Sequence, residues 1–177
     1  MKKAILTIAT LLTFVAVSAI AAPTNWQPAA KYNITFSTDG VSGIFKTMTG
    51  SITFDEANLA SSSFDVSIDV ASINTGNGLQ NKHAKSEEWF DAAKYPAVKF
   101  HSKKIAKAGN GYQVTGVMEI HGASKEMTLP FSFITKGNTA TFTGTFNVNR
   151  NDFHIGKPGG EVGESIKIEV TLPVTKK

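Results

Sequence analysis

The sequence predicts an all-β fold: an eight-stranded antiparallel barrel with a short helical insertion between the third and fourth strands. Apolar and polar residues alternate through most of the chain after residue 21, so almost every strand has one apolar and one polar face, as antiparallel strands do. Short turn sequences such as Gly109-Asn110-Gly111 separate the strands, which favours pairing between sequence neighbours. Closing such a sheet removes its edges. A sandwich of two sheets would show the same alternation, so the turns favour the barrel while the alternation alone does not.

Eight segments carry this alternation. In the third, Phe64, Val66 and Ile68 face away from the polar residues between them. The second segment is unusually long, and we expect Gly43 and Gly50 to bend it. The predicted strands cover residues 31–38, 42–54, 63–70, 96–104, 111–121, 125–134, 138–149 and 164–174.

The stretch from residue 76 to residue 96 lacks alternation and contains good helix formers. Ser86 is a suitable N-cap for a short helix that runs through Trp89 and Phe90. The residue before Pro96 favours extended backbone, which returns the chain to a strand. The sequence therefore predicts a helical insertion here.

The first residues resemble a secretory signal peptide. Lys2 and Lys3 precede an apolar run over residues 4–17, and residues 19–21, Ala-Ile-Ala, fit the small-x-small cleavage pattern. The run is too short for a comfortable membrane span, so no stable membrane insertion is expected. We predict a signal peptide over residues 1–21, one domain over residues 22–177, and a periplasmic or secreted location.

The composition argues against several functional classes. The chain has no Cys, so an exported fold must rest on packing rather than on disulfides. The formal net charge of +4 falls to +2 without the two leader lysines, which is too small to indicate nucleic acid as a partner. His83, His101, His121 and His154 lack close ligand spacing, so neither a metal nor a cofactor is expected. No G-x-S-x-G nucleophile elbow occurs, and we predict no catalytic residue.

Five stretches occur in a distinctive order: GIFKTMTGSITFDE (43–56), SINTGN (72–77), WFDAAKYPAVKFHS (89–102), VTGVMEIHGASKEMTLPF (114–131) and NRNDFHIG (149–156). Together they resemble the YceI-like family of exported, lipocalin-like polyisoprenoid-binding proteins, over roughly residues 30–174. The resemblance implies a lipocalin-like barrel around an apolar cavity that holds a long-chain isoprenoid or fatty lipid. Gln80-Asn81 departs from the family, which often has an Arg-Asp pair at this place, whereas His83 is kept.

The apolar strand faces supply candidate cavity-lining residues. Small residues such as Gly116 and Gly144 lie on the apolar parity and would leave space among large ones, and methionines suit a flexible ligand. On the alternative interpretation the same residues simply fill a core. The candidates are Phe36, Phe54, Ile68, Phe100, Val114, Gly116, Met118, Met127, Phe131, Phe133, Phe142, Gly144 and Phe146.

Arg150 is the single arginine and continues the apolar parity of its strand, so its stem should point inward near a strand end. An inward charge needs a partner. That partner is either a carboxylate such as Asp152 or a polar lipid head at the barrel mouth. The other candidate mouth residues are Asn81, His83, Trp89 and Phe90.

The leading prediction is an exported binding protein that sequesters or transports a long-chain isoprenoid or similar lipid. An enzyme that acts on such a lipid, and a stress or interaction protein with a filled barrel, are the alternatives. The sequence leaves the oligomeric state open, including a homodimer.

Overall fold

The computed structural model describes residues 23–177, so the predicted signal peptide lies outside the described residues. The strands are β1 (Asn25–Pro28), β2 (Asn33–Thr38), β3 (Val41–Phe45), β4 (Met48–Thr53), β5 (Ser63–Asp69), β6 (Ile73–Asn74), β7 (Ala97–Ala108), β8 (Gly111–Ile120), β9 (Ala123–Lys136), β10 (Thr139–Asn149) and β11 (Ser165–Lys176). One α-helix, α1, covers Gly78–Ala84, and 3-10 turns cover Leu59–Ser61, Val70–Ser72 and Arg150–Phe153.

The strands form one antiparallel sheet that closes into an eight-stranded barrel. Two of the wall positions are each shared by a pair of short strands. In one, β2 pairs with residues 167–171 of β11 and β1 pairs with residues 174–176. In the next, β3 pairs with β2 while β4 pairs with β1 and β5. This architecture confirms the predicted all-β, eight-stranded antiparallel barrel.

The predicted strand over residues 42–54 is wrong in one respect, because it is two strands. The break falls at Lys46 and Thr47, whose backbone N–H groups both donate to the Ser72 side-chain oxygen at 3.1 Å. These bonds replace ladder bonds and turn the chain between β3 and β4. Two further strands were not predicted: β1, which is too short to show alternation, and the two-residue β6.

The helix lies earlier than predicted. Asn77, not Ser86, is the N-cap of α1, and its side chain accepts from the N–H groups of Leu79 and Gln80. Trp89 lies in the turns that follow the helix, where its backbone N–H donates to the Ser86 carbonyl. An amide at residue 77 was available as a cap, since Asn and Ser are about equally good at this position.

An aromatic plug, formed by Trp26, Phe54, Phe133 and Phe142, closes the barrel at the end that carries the β7–β8 and β9–β10 turns. Phe54 is only 1% exposed, and its ring centroid lies 4.8 Å from that of Phe133 and 5.6 Å from that of Phe142. The Trp26 indole N–H donates to the Phe54 carbonyl at 3.0 Å. Edge-to-face packing of this kind adds to the burial energy, so this end is firmly closed.

The opposite end of the barrel, termed the mouth, carries α1, the turns over residues 85–96 and the segment over residues 150–164. No helix within residues 23–177 is long and apolar enough to cross a membrane.

Candidate functional site

The barrel encloses a cavity of about 930 Å³ that extends from the aromatic plug to the mouth. Strand alternation builds its wall, because every second side chain of an antiparallel strand points to the same face. On β8, for example, Val114, Met118 and Ile120 line the cavity. The volume is near the upper end of the usual range for ligand sites, roughly 300–1,000 Å³.

Most of the candidate lining residues lie in the cavity wall. Phe142, which belongs to the plug, forms the floor of the cavity, and Phe131 packs beside Phe142. The candidates that line the cavity are Phe36, Ile68, Phe100, Val114, Met118, Phe131, Phe142, Gly144 and Phe146.

Four candidates, Phe54, Phe133, Gly116 and Met127, do not line the cavity. Phe54 and Phe133 lie in the aromatic plug beneath it. Gly116 points inward but leaves no space, because a Cβ built there would lie 2.7 Å from the ring of Phe100. Met127 is half-buried against the core. The alternation along each strand correctly predicted which side chains point inward. It could not predict where along the barrel axis the plug ends and the cavity begins.

Other lining residues were missed, although they share the parity that identified the rest. They come chiefly from strands that close the barrel: Ile34, Phe45, Met48, Ile52, Ile168 and Val170. Applying the same alternation to every strand would have identified these lining residues as well.

Charged and titratable side chains that line the cavity lie at its mouth and not in its interior. They are His83, Glu88, Arg150, Lys157 and Glu161. Within residues 23–177, no cluster of three His, Asp or Glu side chains could hold a metal ion. The interior therefore offers an uncharged, apolar surface to an uncharged, apolar chain.

Four of the five candidate mouth residues line the cavity at its rim: His83, Trp89, Phe90 and Arg150. The Trp89 indole N–H donates to His83 Nε2 at 2.7 Å, which joins the loop to α1. Beside them Leu79 is 77% exposed. Asn81 is not in the wall, and its side-chain oxygen instead accepts from the Thr75 N–H and hydroxyl.

Arg150 is only 2% exposed, and all five of its N–H donors have protein acceptors. Nε donates to the Gly163 carbonyl, one terminal nitrogen to the Ile155 carbonyl and the Asn151 side chain, and the other to the Lys157 and Val162 carbonyls. The guanidinium also lies 5.7 Å from the centre of the Trp89 ring. Arg150 thus fastens the loop at the mouth.

Asp152, the carboxylate named as one of the two possible partners of Arg150, pairs instead with Lys125 on β9. Within residues 23–177, no carboxylate lies within ion-pairing distance of Arg150. Backbone carbonyl dipoles surround the buried charge instead, and the geometry leaves no guanidinium N–H for a head group.

One titratable group at the closed end has a shifted pKa. The Tyr112 hydroxyl donates to Glu56 at 2.7 Å, and this hydrogen bond raises the pKa of Tyr112 to about 12. Tyr112 packs on Phe131 as a stacked pair, with ring centroids 5.4 Å apart. The pair supports the plug rather than any chemistry in the cavity.

The chain is similar in sequence and in structure to several bacterial proteins. A UPF0312 protein of Vibrio parahaemolyticus is 35% identical over 122 residues, which is 65% of this chain and 65% of that protein. The chain thus covers somewhat less than two thirds of that relative's length. The crystal structure of BcnA from Burkholderia cenocepacia is 32% identical with a TM-score of 0.79, over 82% of this chain and 98% of BcnA.

A more distant structure has the same fold. It is a polyisoprenoid binding domain from Saccharophagus degradans, implicated in plant cell wall breakdown, with 12% identity and a TM-score of 0.61 over 89% of this chain and 100% of that domain. The sequence profile of the YceI-like domain matches residues 25–174. The chain therefore belongs to the YceI-like family.

Proposed function

We propose that this protein binds one long-chain isoprenoid or similar lipid in the barrel cavity. The observation that carries the proposal is the cavity itself: about 930 Å³ of space closed at one end by the aromatic plug, with its charged groups confined to the mouth. Such a site accepts an apolar chain with its more polar end near the mouth.

The energetics permit useful affinity without any covalent chemistry. At roughly 0.8 kcal/mol per buried CH₂, a twenty-carbon chain gains about 16 kcal/mol. Association and ordering cost about 4–15 kcal/mol. Burial of the chain therefore suffices, and the head group need contribute little.

The relatives support a lipid ligand of this class. The domain from Saccharophagus degradans is described as polyisoprenoid-binding, and its barrel has the same fold as this one. We therefore propose an isoprenoid, in preference to a fatty-acid chain, as the ligand. The signal-peptide pattern at residues 1–21 supports a role outside the cytoplasm, in sequestering or transporting the lipid.

The two alternatives receive less support. A filled barrel would place side chains where the cavity lies. An enzyme would need an acid, base or nucleophile near the middle of the bound chain, whereas the titratable lining residues of the described chain lie at the mouth.

A titration tests the proposal. Trp89 lines the mouth and Trp26 lies in the plug, so a Trp26→Phe variant carries Trp89 as its single tryptophan reporter. Adding a twenty-carbon prenyl alcohol to the delipidated protein should change Trp89 fluorescence saturably at one ligand per chain. Adding Trp89→Phe to the Trp26→Phe variant gives the matched control, in which the signal should vanish while the ligand still binds by equilibrium dialysis. Absence of saturable binding in dialysis would overturn the proposal.

A further inference from the structure

The barrel wall contains a seam between β9 and β10. Their ladder runs from the pair Lys136–Thr139 to the pair Ser132–Thr143 and ends there. Both strands continue, since β9 goes on pairing with β8 as far as Ala123, and β10 goes on pairing with β11 along its whole length. Beyond the Ser132–Thr143 pair the two strands no longer pair with each other.

Pro130 explains why the ladder stops. A Cβ built on Gly144 would lie 3.0 Å from the Pro130 carbonyl oxygen, so that carbonyl points toward β10. The N and C=O of one strand residue face the same neighbouring strand. The Pro130 nitrogen therefore also faces β10, where it has no hydrogen to donate, and a proline in that position ends a ladder.

The seam is bounded at both ends. At the lower end the hydroxyls of Ser132 and Thr143 lie 2.6 Å apart. At the upper end Lys125 of β9 pairs with Asp152, and His121 Nδ1 donates to the Phe153 carbonyl at 3.2 Å. The 3-10 turn Arg150–Phe153 thus fastens the end of β10 back to β9. The unpaired stretch between these contacts, residues 126–131 of β9 and 144–149 of β10, is termed the window.

The lining of the cavity includes outward-facing residues at this window. The residues of β5, β7, β8 and β11 that line the cavity all face inward, whereas Pro130 and Thr143 also line it although they lie on the outward parity. A depression of about 470 Å³ lies on the outside of the wall. Cavity and depression share Pro130, Phe131, Thr143, Gly144 and Val170, and Gly144 has no side chain to separate them.

We propose that this seam is a lateral portal, through which the tail of a chain longer than the cavity passes to the outer depression. The inference rests on the proposed lipid-binding function and specifies the length of ligand that it accepts. Taking roughly 30 Å³ per heavy atom, the share of one molecule in liquid water, the cavity holds about 30 heavy atoms. A twenty-carbon prenyl chain fits inside, and a forty-carbon chain leaves about ten carbons outside.

Photo-cross-linking follows the chain end directly. Two prenyl alcohols, of twenty and forty carbons, each carry a diazirine at the end remote from the hydroxyl, and labelled peptides of the delipidated mature protein are identified by mass spectrometry. The twenty-carbon probe should label inward-facing residues. The forty-carbon probe should label the outer side of the seam, at Ser132 and Thr145, and should leave Thr49 on the opposite wall unlabelled.

A variant tests the portal independently of cross-linking. Thr145 is exposed and lines the outer depression but not the cavity, so Thr145→Trp covers the depression from outside. Affinity for the forty-carbon alcohol should fall about tenfold, which equals about 1.4 kcal/mol, while affinity for the twenty-carbon alcohol stays unchanged. Thr49→Trp, an equally exposed change on β4, should alter neither affinity.

Each outcome decides between the two proposals. Labelling of the mouth or of the interior by the forty-carbon probe would overturn the portal and leave lipid binding intact. Equal effects of Thr145→Trp on both chain lengths, or no effect on either, would also overturn it. Failure of both probes to bind would overturn the proposed function and the portal with it.

Discussion

Replacing Arg150 with alanine should destabilise the fold strongly and leave lipid head-group preference unaltered. The guanidinium makes five hydrogen bonds of 2.8–3.2 Å, four of them to backbone carbonyls. At about 1 kcal/mol net per bond the loss is about 5 kcal/mol. Water can reach some of the freed carbonyls of the exposed loop, which lowers the expected cost to about 3–5 kcal/mol, a large share of a typical domain stability.

Urea unfolding measures this cost. With a slope of roughly 1–3 kcal/mol per molar urea, the midpoint of Arg150→Ala should fall by at least about 1 M. Arg150→Lys is the matched control, because an ammonium keeps the charge and three donors. It should recover part of the loss. Binding of a prenyl alcohol and of the corresponding headless hydrocarbon should change by the same factor.

A midpoint within experimental error of the parent protein would refute the structural role assigned to Arg150. A selective loss of affinity for the alcohol, with stability unchanged, would instead assign Arg150 to the lipid head.

Three further predictions concern the cavity, the closed end and the helix. Gly144→Leu should reduce lipid occupancy, measured by mass spectrometry of the purified complex, at a cost in stability of about 1–3 kcal/mol from overpacking; full occupancy in a folded variant would contradict the cavity. Stability should fall as pH rises from about 10 toward about 12, because Tyr112 keeps its proton longer in the folded state, where its pKa is about 12, than in the unfolded chain. In Glu56→Ala, which removes the acceptor, absorbance titration should show the Tyr112 transition nearer pH 10, and an unmoved transition would refute the hydrogen bond as the cause. Asn77→Ala should cost about 1 kcal/mol and speed hydrogen exchange at the Leu79 amide, whereas unchanged exchange would show that α1 does not need this cap.

Alternation along single strands predicted the wall of the cavity well. Val114 and Met118, or Phe142 and Phe146, occupy the places that a period of two assigns to them, because one-sided burial sets strand register. Parity gives direction and not depth. Phe54 points inward as predicted, yet its place in the plug depends on contacts with Phe133, which is distant in sequence.

Features that depend on distant partners were beyond local patterns. The break at Lys46 is made by Ser72, 26 residues away. The carbonyls that surround Arg150 come from a loop without regular structure, so a charge partner was the natural expectation and backbone oxygens were not. The seam likewise could not be located without knowing that β9 pairs with β10. Pro130 alone indicates only that one of the two ladders of its strand is interrupted.

The central claim is that the barrel cavity holds a long apolar lipid. Native mass spectrometry of the protein, purified from its host without added lipid, tests it most directly. We expect a chain that carries one additional mass, released by organic solvent and identified by fragmentation as a polyisoprenoid. A protein that carries no added mass, and that takes up no prenyl alcohol after delipidation, would contradict it.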